Sequence, residues 1–485
     1  MMTTSINRRI MLQGASALAG LFAASGAVLG QQAVPRSPAG PGAALPPRDE
    51  FVIRGATVLT MDPGIGDFGT GDVHVRNGAI IAVGPRIDLA NVRVVEGSDM
   101  ICMPGFVDSH WHLWTSLFRP FVRADVNELG YFPVSNRLGV HMTPEDSYRS
   151  VMLGTAEALN AGVTTVHNWA HNVRSPDHAD AELAAMRDAG IRGRFAYGPA
   201  QGMPDDQPMD LQGLARVKRD WMPGDGLLTL GICSRNIGAM SIGGATRGVL
   251  TVDMARQDWT GARALGLPIT LHTSGPSPIK LLDDAGLLGA DVQLVHPLLT
   301  TAEERAILKA RGVSYAMAPT GEARRPASAG VIQLGEMLEA GIKVSLSTDH
   351  TTNYNCDPFV GMRILFALHQ NRVGDKIPVT VKRLVQLATL DGAVDLGIAE
   401  KTGSLTPGKR ADIILVRTTD INMTPVGDPY EALVSLAQPA NVDTVIVDGR
   451  ILRQSSKFTA LDHGKVVREA QEAATALRAK ARWPT

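Results

Sequence analysis

The chain has 485 residues, 44% of them hydrophobic and 20% charged, with a formal net charge of −1. That length exceeds one ordinary domain and predicts a large catalytic unit with a smaller companion. The balanced charge argues against nucleic acid or an anionic membrane surface as a partner. Three scattered cysteines, Cys102, Cys233 and Cys356, show no CxxC spacing and offer neither a zinc knuckle nor a disulfide framework; they are expected as buried thiols.

Residues 1–30 read as a targeting segment. Arg8 and Arg9 precede a weakly apolar run rich in Ala, Gly and Ser, from Gly14 to Leu29. This arrangement resembles a twin-arginine export signal, so the export machinery is an expected partner and the periplasm or exterior the expected location. An uncleaved membrane anchor is the alternative, although the run is marginal against the about 20 strongly apolar residues a span needs. Residues 31–49 hold five prolines among Ala, Gly and Ser and read as a disordered linker.

From Phe51 the pattern changes to short alternating strands: Phe51 to Ile53, Ala56 to Thr60, Val73 to Val75 and Ala79 to Val83, with turns such as Arg76-Asn77-Gly78 between them. A matching set recurs only near the far end, at Ala411 to Val416 and Val442 to Val447. Two partial β units flanking a long middle segment predict one β-sandwich assembled from both termini, residues 50–103 and 404–485. A helix is expected at about Lys465 to Arg482.

Residues 104–403 alternate apolar runs with helical patterns. A glycine recurs where each amphipathic stretch gives way to a β-branched run, at Gly162, Gly190, Gly266, Gly312 and Gly341. A helix C-terminus commonly needs a left-handed residue there. Thr301 and Glu304 form a capping box at the opposite kind of helix end. Such alternation fits an α/β fold, either a (β/α)₈ TIM-like barrel or a doubly wound sheet. The absence of a Gly-rich dinucleotide fingerprint favours the barrel.

The stretch Met103-Pro-Gly-Phe-Val-Asp-Ser-His-Trp-His112 ends an apolar run in His-x-His. Residues i and i+2 on a strand project to one side, and at the C-terminal end of a barrel strand that side is the mouth, where active sites sit. His272 ends the run Leu267 to Leu271, His296 ends Val292 to Val295, and Asp349 ends Val344 to Thr348. One strand-end histidine is ordinarily structural. Four of them with an aspartate, all at equivalent strand ends, form a metal-ligating pattern.

These stretches resemble the amidohydrolase superfamily, in the branch of cytosine and guanine deaminases and triazine (chlorohydrolase-like) hydrolases. Pro104 to His112 is similar to that family's first-strand motif and Ser347-Thr-Asp349 to its eighth-strand aspartate. Ala388 to Ala393 and Gly403 to Asp412 are similar to its closing helix and re-entry into the sandwich. The resemblance spans about Phe51 to Arg453. It implies that His110, His112, His272 and Asp349 ligate one divalent metal ion, zinc or alternatively iron. It also implies that His296 holds the attacking water or polarises the substrate, and that Asp349 shuttles its proton. A homodimer is the family habit.

Two departures shape the functional expectation. Binuclear members carry a bridging lysine on the fourth strand; Leu227 to Ser234 has none, so one metal is expected. Aminoheterocycle deaminases place a glutamate three residues after the fifth-strand histidine, where this chain has Gly275. Glu322 is the candidate substitute, its other reading being a solvated loop glutamate beside Arg324 and Arg325. His167, His171 and Trp114 are candidate substrate contacts, and Trp111 and Trp169 could complete an aromatic wall. Continued strand alternation points His350 away from the mouth. The expected activity is metal-dependent hydrolysis of a C–N bond (amide, cyclic amide or ring amino group) in a small molecule. Loss of another group such as halide, decarboxylation or isomerisation, and last a metal-free scaffold, are the alternatives.

Overall fold

The apolar alternation at the two ends of the sequence resolves into one mixed sheet of nine strands in the computed structural model. The structure describes residues 44–483 apart from 223–225, 238–239, 243–244, 248–249, 274–276, 297 and 326–329. The expected export signal and most of the linker lie outside the described residues. Across the sheet the order is Lys457–Phe458, Arg450–Gln454, Val442–Val447, Ile413–Arg417, Met100–Pro104, Phe51–Val58, Phe68–Arg76 and Ala79–Gly84, with Arg93–Glu96 paired to Phe51–Val58. The two chain halves meet where Met100–Pro104 runs antiparallel to Ile413–Arg417, in the register Cys102 opposite Leu415. Inward residues from both halves, among them Phe51, Ile53, Val73, Cys102, Ile413 and Ile446, form a single apolar core. The three cysteines are free thiols and buried.

Eight parallel strands form the barrel: Phe106–Trp111, Val163–Val173, Arg192–Pro199, Leu228–Cys233, Ile269–His272, Val292–Val295, Ser314–Met317 and Lys343–Leu346, here called the first to eighth. Closure between first and eighth is made by the candidate site itself. His112 N–H donates to the Asp349 carbonyl at 2.6 Å and Asp349 N–H to the His110 carbonyl at 2.8 Å. The five punctuating glycines all have positive φ, from 67° to 85°. A side chain there would clash with its own backbone, which is why the sequence signal was clean. The Thr301–Glu304 capping box is present at Ala302–Arg311.

Barrel and sheet are joined by buried charge. Arg192 on the third strand makes a two-pronged contact with Asp412, at 2.5 and 3.1 Å, and reaches Asp448 at 3.3 Å. Arg48 also pairs with Asp448, and Leu45 packs beside Gly190. Residues 44–49, the last of the expected linker, are therefore held against the fold by an ion pair and an apolar contact. Among the described residues no helix is long and apolar enough to cross a membrane.

Candidate metal centre

At the C-terminal mouth of the barrel the strands end and the side chains converge. Nε2 of His110 and Nε2 of His112 each lie 3.3 Å from Asp349 Oδ1. Nε2 of His272 lies 3.3 Å from Nε2 of His110, and Nε2 of His296 lies 3.9 Å from Asp349 Oδ2. One donor atom each from His110, His272, His296 and Asp349 falls within 4.8 Å of the others. His112 joins through its contact with Asp349 Oδ1. All five residues proposed from the sequence are thus in one cluster, and His296 belongs to it although it was expected beside the ligands and not among them.

Two of these residues have unusual backbone. His296 has φ 67° and Asp349 φ 73°, a left-handed conformation that non-glycine residues adopt at a cost and that clusters at functional sites. The eighth strand stops at Leu346, so alternation no longer governs 349 and 350. His350 accordingly turns into the cavity wall, opposite to the sequence expectation. It stacks on Tyr131 with ring centroids 4.6 Å apart and 23° between planes.

Electrostatics suit a cation. Burial pushes His110 down to about 3, and holds His171 and His272 well below the usual imidazole range. Their rings are neutral and present lone pairs. Burial alone would raise Asp349, but its contacts with His110 and His112 outweigh this and keep the carboxyl well below its usual range. Neutral imidazole nitrogens facing one another beside a carboxylate, with no proton donor common to all, form a donor set that a borderline divalent ion satisfies.

Glu322 is not a solvated loop residue. Its side chain is fully buried, and Oε1 lies 2.9 Å from Nδ1 of His296. It sits behind His296 and is absent from the cavity lining, so it touches that ring and not the cavity. The short helix Pro319–Glu322, started by a proline, delivers it there.

The second strand is longer than its sequence pattern suggests, and its alternation sorts the other candidates by depth. His167, Trp169 and His171 share one face. His167 lies deep in the barrel, with Nδ1 2.9 Å from the Ser109 carbonyl, and does not reach the mouth. Trp169 and His171 line the cavity. Trp169 donates its indole N–H to Thr270 Oγ1 at 3.2 Å and stands 3.9 Å from His272, ring to ring. Thr270 Oγ1 in turn donates to Gln293 Oε1 at 2.6 Å. Trp114 is fully buried, edge-on to His171 at 5.0 Å, and is absent from the cavity lining. Trp111 is likewise core.

The cavity above the cluster is about 640 Å³. Its floor is His112, Trp169, His272, His296 and Asp349, and its walls include Tyr131, Phe132, Met203, Arg235 and Arg325. Tyr131, Phe132, Arg235 and Arg325 were missed from the sequence. They come from loops and a short helix beyond strand ends, where neither period applies.

Comparison with known proteins agrees with this architecture. The amidohydrolase family model matches residues 101–216 and 261–452. The chain is 29% identical over 450 residues to a 5'-deoxyadenosine deaminase of Methanosarcina mazei, covering 89% of this chain and 99% of that one. It is 30% identical over 454 residues to a 5-methylthioadenosine/S-adenosylhomocysteine deaminase of Pelotomaculum thermopropionicum, covering 88% and 98%. Among solved structures, a zinc-bound adenosine deaminase of Xanthomonas campestris superposes with TM-score 0.77 at 22% identity, covering 89% and 99%. A zinc complex of atrazine chlorohydrolase from Arthrobacter aurescens gives 0.74 at 21%, covering 87% and 100%. The chain belongs to the amidohydrolase family and is a hydrolase of that type, acting on carbon–nitrogen bonds other than peptide bonds.

Proposed function

We propose that the chain uses one zinc ion, held by His110, His112, His272 and Asp349, to hydrolyse a C–N bond at a carbonyl carbon, as in an amide or cyclic amide, of a planar small molecule. The observation that carries this reading is the cluster itself: His112, His272, His296 and Asp349 on the floor of one cavity with His110 against them, fed by four barrel strands and with no lysine on the fourth. A divalent cation bound there would lower the pKa of water toward about 7 and polarise the bond under attack.

The protein groups divide the remaining work. Glu322 accepts the Nδ1 proton of His296, which leaves the Nε2 lone pair facing Asp349. Nε2 then accepts a hydrogen bond from the attacking water and orients it. Asp349 takes one water proton and returns it to the leaving nitrogen. The oxygen–carbon bond forms, the C–N bond breaks, and the amine departs with that proton. Trp169, fixed by Thr270, offers a flat wall beside His272 for a planar group.

Gly275 decides against protonation of a ring nitrogen from the fifth strand, because glycine has no acid to offer. Deamination of an adenosine-type ring is the second reading, favoured by the near full-length similarity to deaminases. A parallel panel separates the two: amine release from amides and cyclic amides, and ammonia release from adenosine and 5'-deoxyadenosine. Turnover in the first arm alone is expected. Turnover in the second arm alone would replace the carbonyl reading with the deaminase one, and silence in both arms by zinc-loaded protein would refute C–N hydrolysis as framed here. The Arg8-Arg9 segment supports export to the periplasm, tested by the fate of a fusion in cells lacking twin-arginine transport.

A further inference from the structure

The helix Tyr131–Gly139 has two working faces. Phe132 and Asn136 line the cavity together with Tyr131 at the helix start, whereas Val134 and Leu138 are buried in an apolar cluster. Residues four apart share a face, so 132 and 136 look toward the substrate space while 134 and 138 look away from it. Val134 and Leu138 share that cluster with Phe118 and Phe121, with Ala473, Ala474 and Leu477 of the helix His463–Lys480, and with Trp483.

Arg137 ties the two together. Its guanidinium sits 4.6 Å above the Trp483 ring centroid, and Nη2 donates to the Arg482 carbonyl at 3.2 Å. Trp483 is 9% exposed and meets Phe121 edge-on at 5.4 Å. Lys480 pairs at 2.7 Å with Asp146, which closes the capping box of the next helix, Pro144–Asn160. At the other end Tyr131 stacks on His350, next to Asp349. One nine-residue helix therefore connects Arg482 and Trp483 to the rim of the metal cluster.

We propose that Trp483, acting through Arg137, is a positioning residue for the substrate pocket. It holds the helix Tyr131–Gly139, and with it the Tyr131 and Phe132 wall, at the distance from the cluster that the substrate requires. Neither Trp483 nor Arg137 lines the cavity. The inference rests on the proposed function only in taking the cavity above the cluster as the substrate site.

Hydrogen exchange on the zinc-loaded full chain tests this without a known substrate. In Trp483→Ala, peptides covering 131–140 should exchange about tenfold faster, while the fifth and sixth barrel strands keep their protection and zinc content is unchanged. Trp483→Phe keeps an aromatic face for Arg137 and should restore the protection. Arg137→Gln, at an exposed position, should loosen the same peptides even where Trp483→Ala folds poorly. For the compound turned over fastest in the panel, Trp483→Ala should raise KM about tenfold at unchanged kcat, the signature of lost binding. Unchanged exchange over 131–140 in both the Ala and Gln variants would overturn the proposal, as would loosening spread equally through the barrel. A silent substrate panel with selective loosening would refute the proposed function and leave the latch standing.

Discussion

Replacing Glu322 is the most informative perturbation of the site chemistry. Its carboxylate lies 2.9 Å from Nδ1 of His296, and with Glu322 fully buried and His296 only 2% exposed, little water can reach the contact to replace the lost bond. A hydrogen bond to a charged group contributes about 1.5–3 kcal/mol. If that energy orients His296 for reaction, its loss is worth about 10–100-fold in rate, the range seen for partners behind metal-site histidines. Glu322→Ala is therefore expected to lower kcat by that factor with KM little changed. Glu322→Gln keeps an acceptor for the Nδ1 proton and should lose less. Steady-state kinetics on the panel substrate, with zinc measured on the same samples, makes the assay. Equal kcat in wild type and Glu322→Ala would refute the positioning role. Loss of zinc in Glu322→Ala would instead place His296 among the ligands.

Thr270→Val leaves the buried Trp169 indole N–H without its acceptor and should cost about 1–3 kcal/mol of stability, read by denaturant melts, with Thr270→Ser near neutral. Arg192→Met strands the buried Asp412, while Asp448 keeps Arg48, Arg410 and Arg450; a loss of about 3–5 kcal/mol is expected in the same melts, and a negligible loss would show that the barrel–sheet junction does not depend on this pair. Burial pushes Glu182 up to about 8, against its ordinary 4.5, although Asn168 donates to it. The folded chain thus holds a proton that the unfolded chain releases above 4.5, so stability falls as pH rises from there to about 8. Thermal melts across that window should show Glu182→Gln gaining on wild type, by about 5 kcal/mol at most; parallel curves would contradict the protonated assignment.

Much of this site is readable before folding because strand ends carry it. His272, His296 and Asp349 each end a short β-branched run, and glycine marks the helix before the fifth and eighth strands. The split sheet was readable for the same reason, as short alternation at both ends. The errors arise where the two-residue period stops or runs on. Val163–Val173 has 11 residues, which sinks His167 below the mouth and raises Trp169 into its wall. Asp349 leaves the extended conformation, which turns His350 inward against the alternation rule. Glu322 looked solvated because two arginines follow it. Its burial depends on a tertiary neighbour, His296, that no local pattern announces. Trp114 falls in the short helix Leu113–Phe118, fully buried, so its ring meets His171 without reaching the cavity.

The central claim is that these strand ends hold one metal ion. Purified full chain should be stripped with chelator, reconstituted with a single equivalent of zinc, desalted, and measured for metal beside His272→Ala treated in parallel. His272 contributes a buried nitrogen 3.3 Å from that of His110, so its removal opens the donor set without emptying the barrel core. The account predicts one zinc per wild-type chain and a large loss in His272→Ala, with both proteins folded by circular dichroism. Wild type with no stoichiometric zinc or iron, or a variant that retains metal as well as wild type, would contradict it.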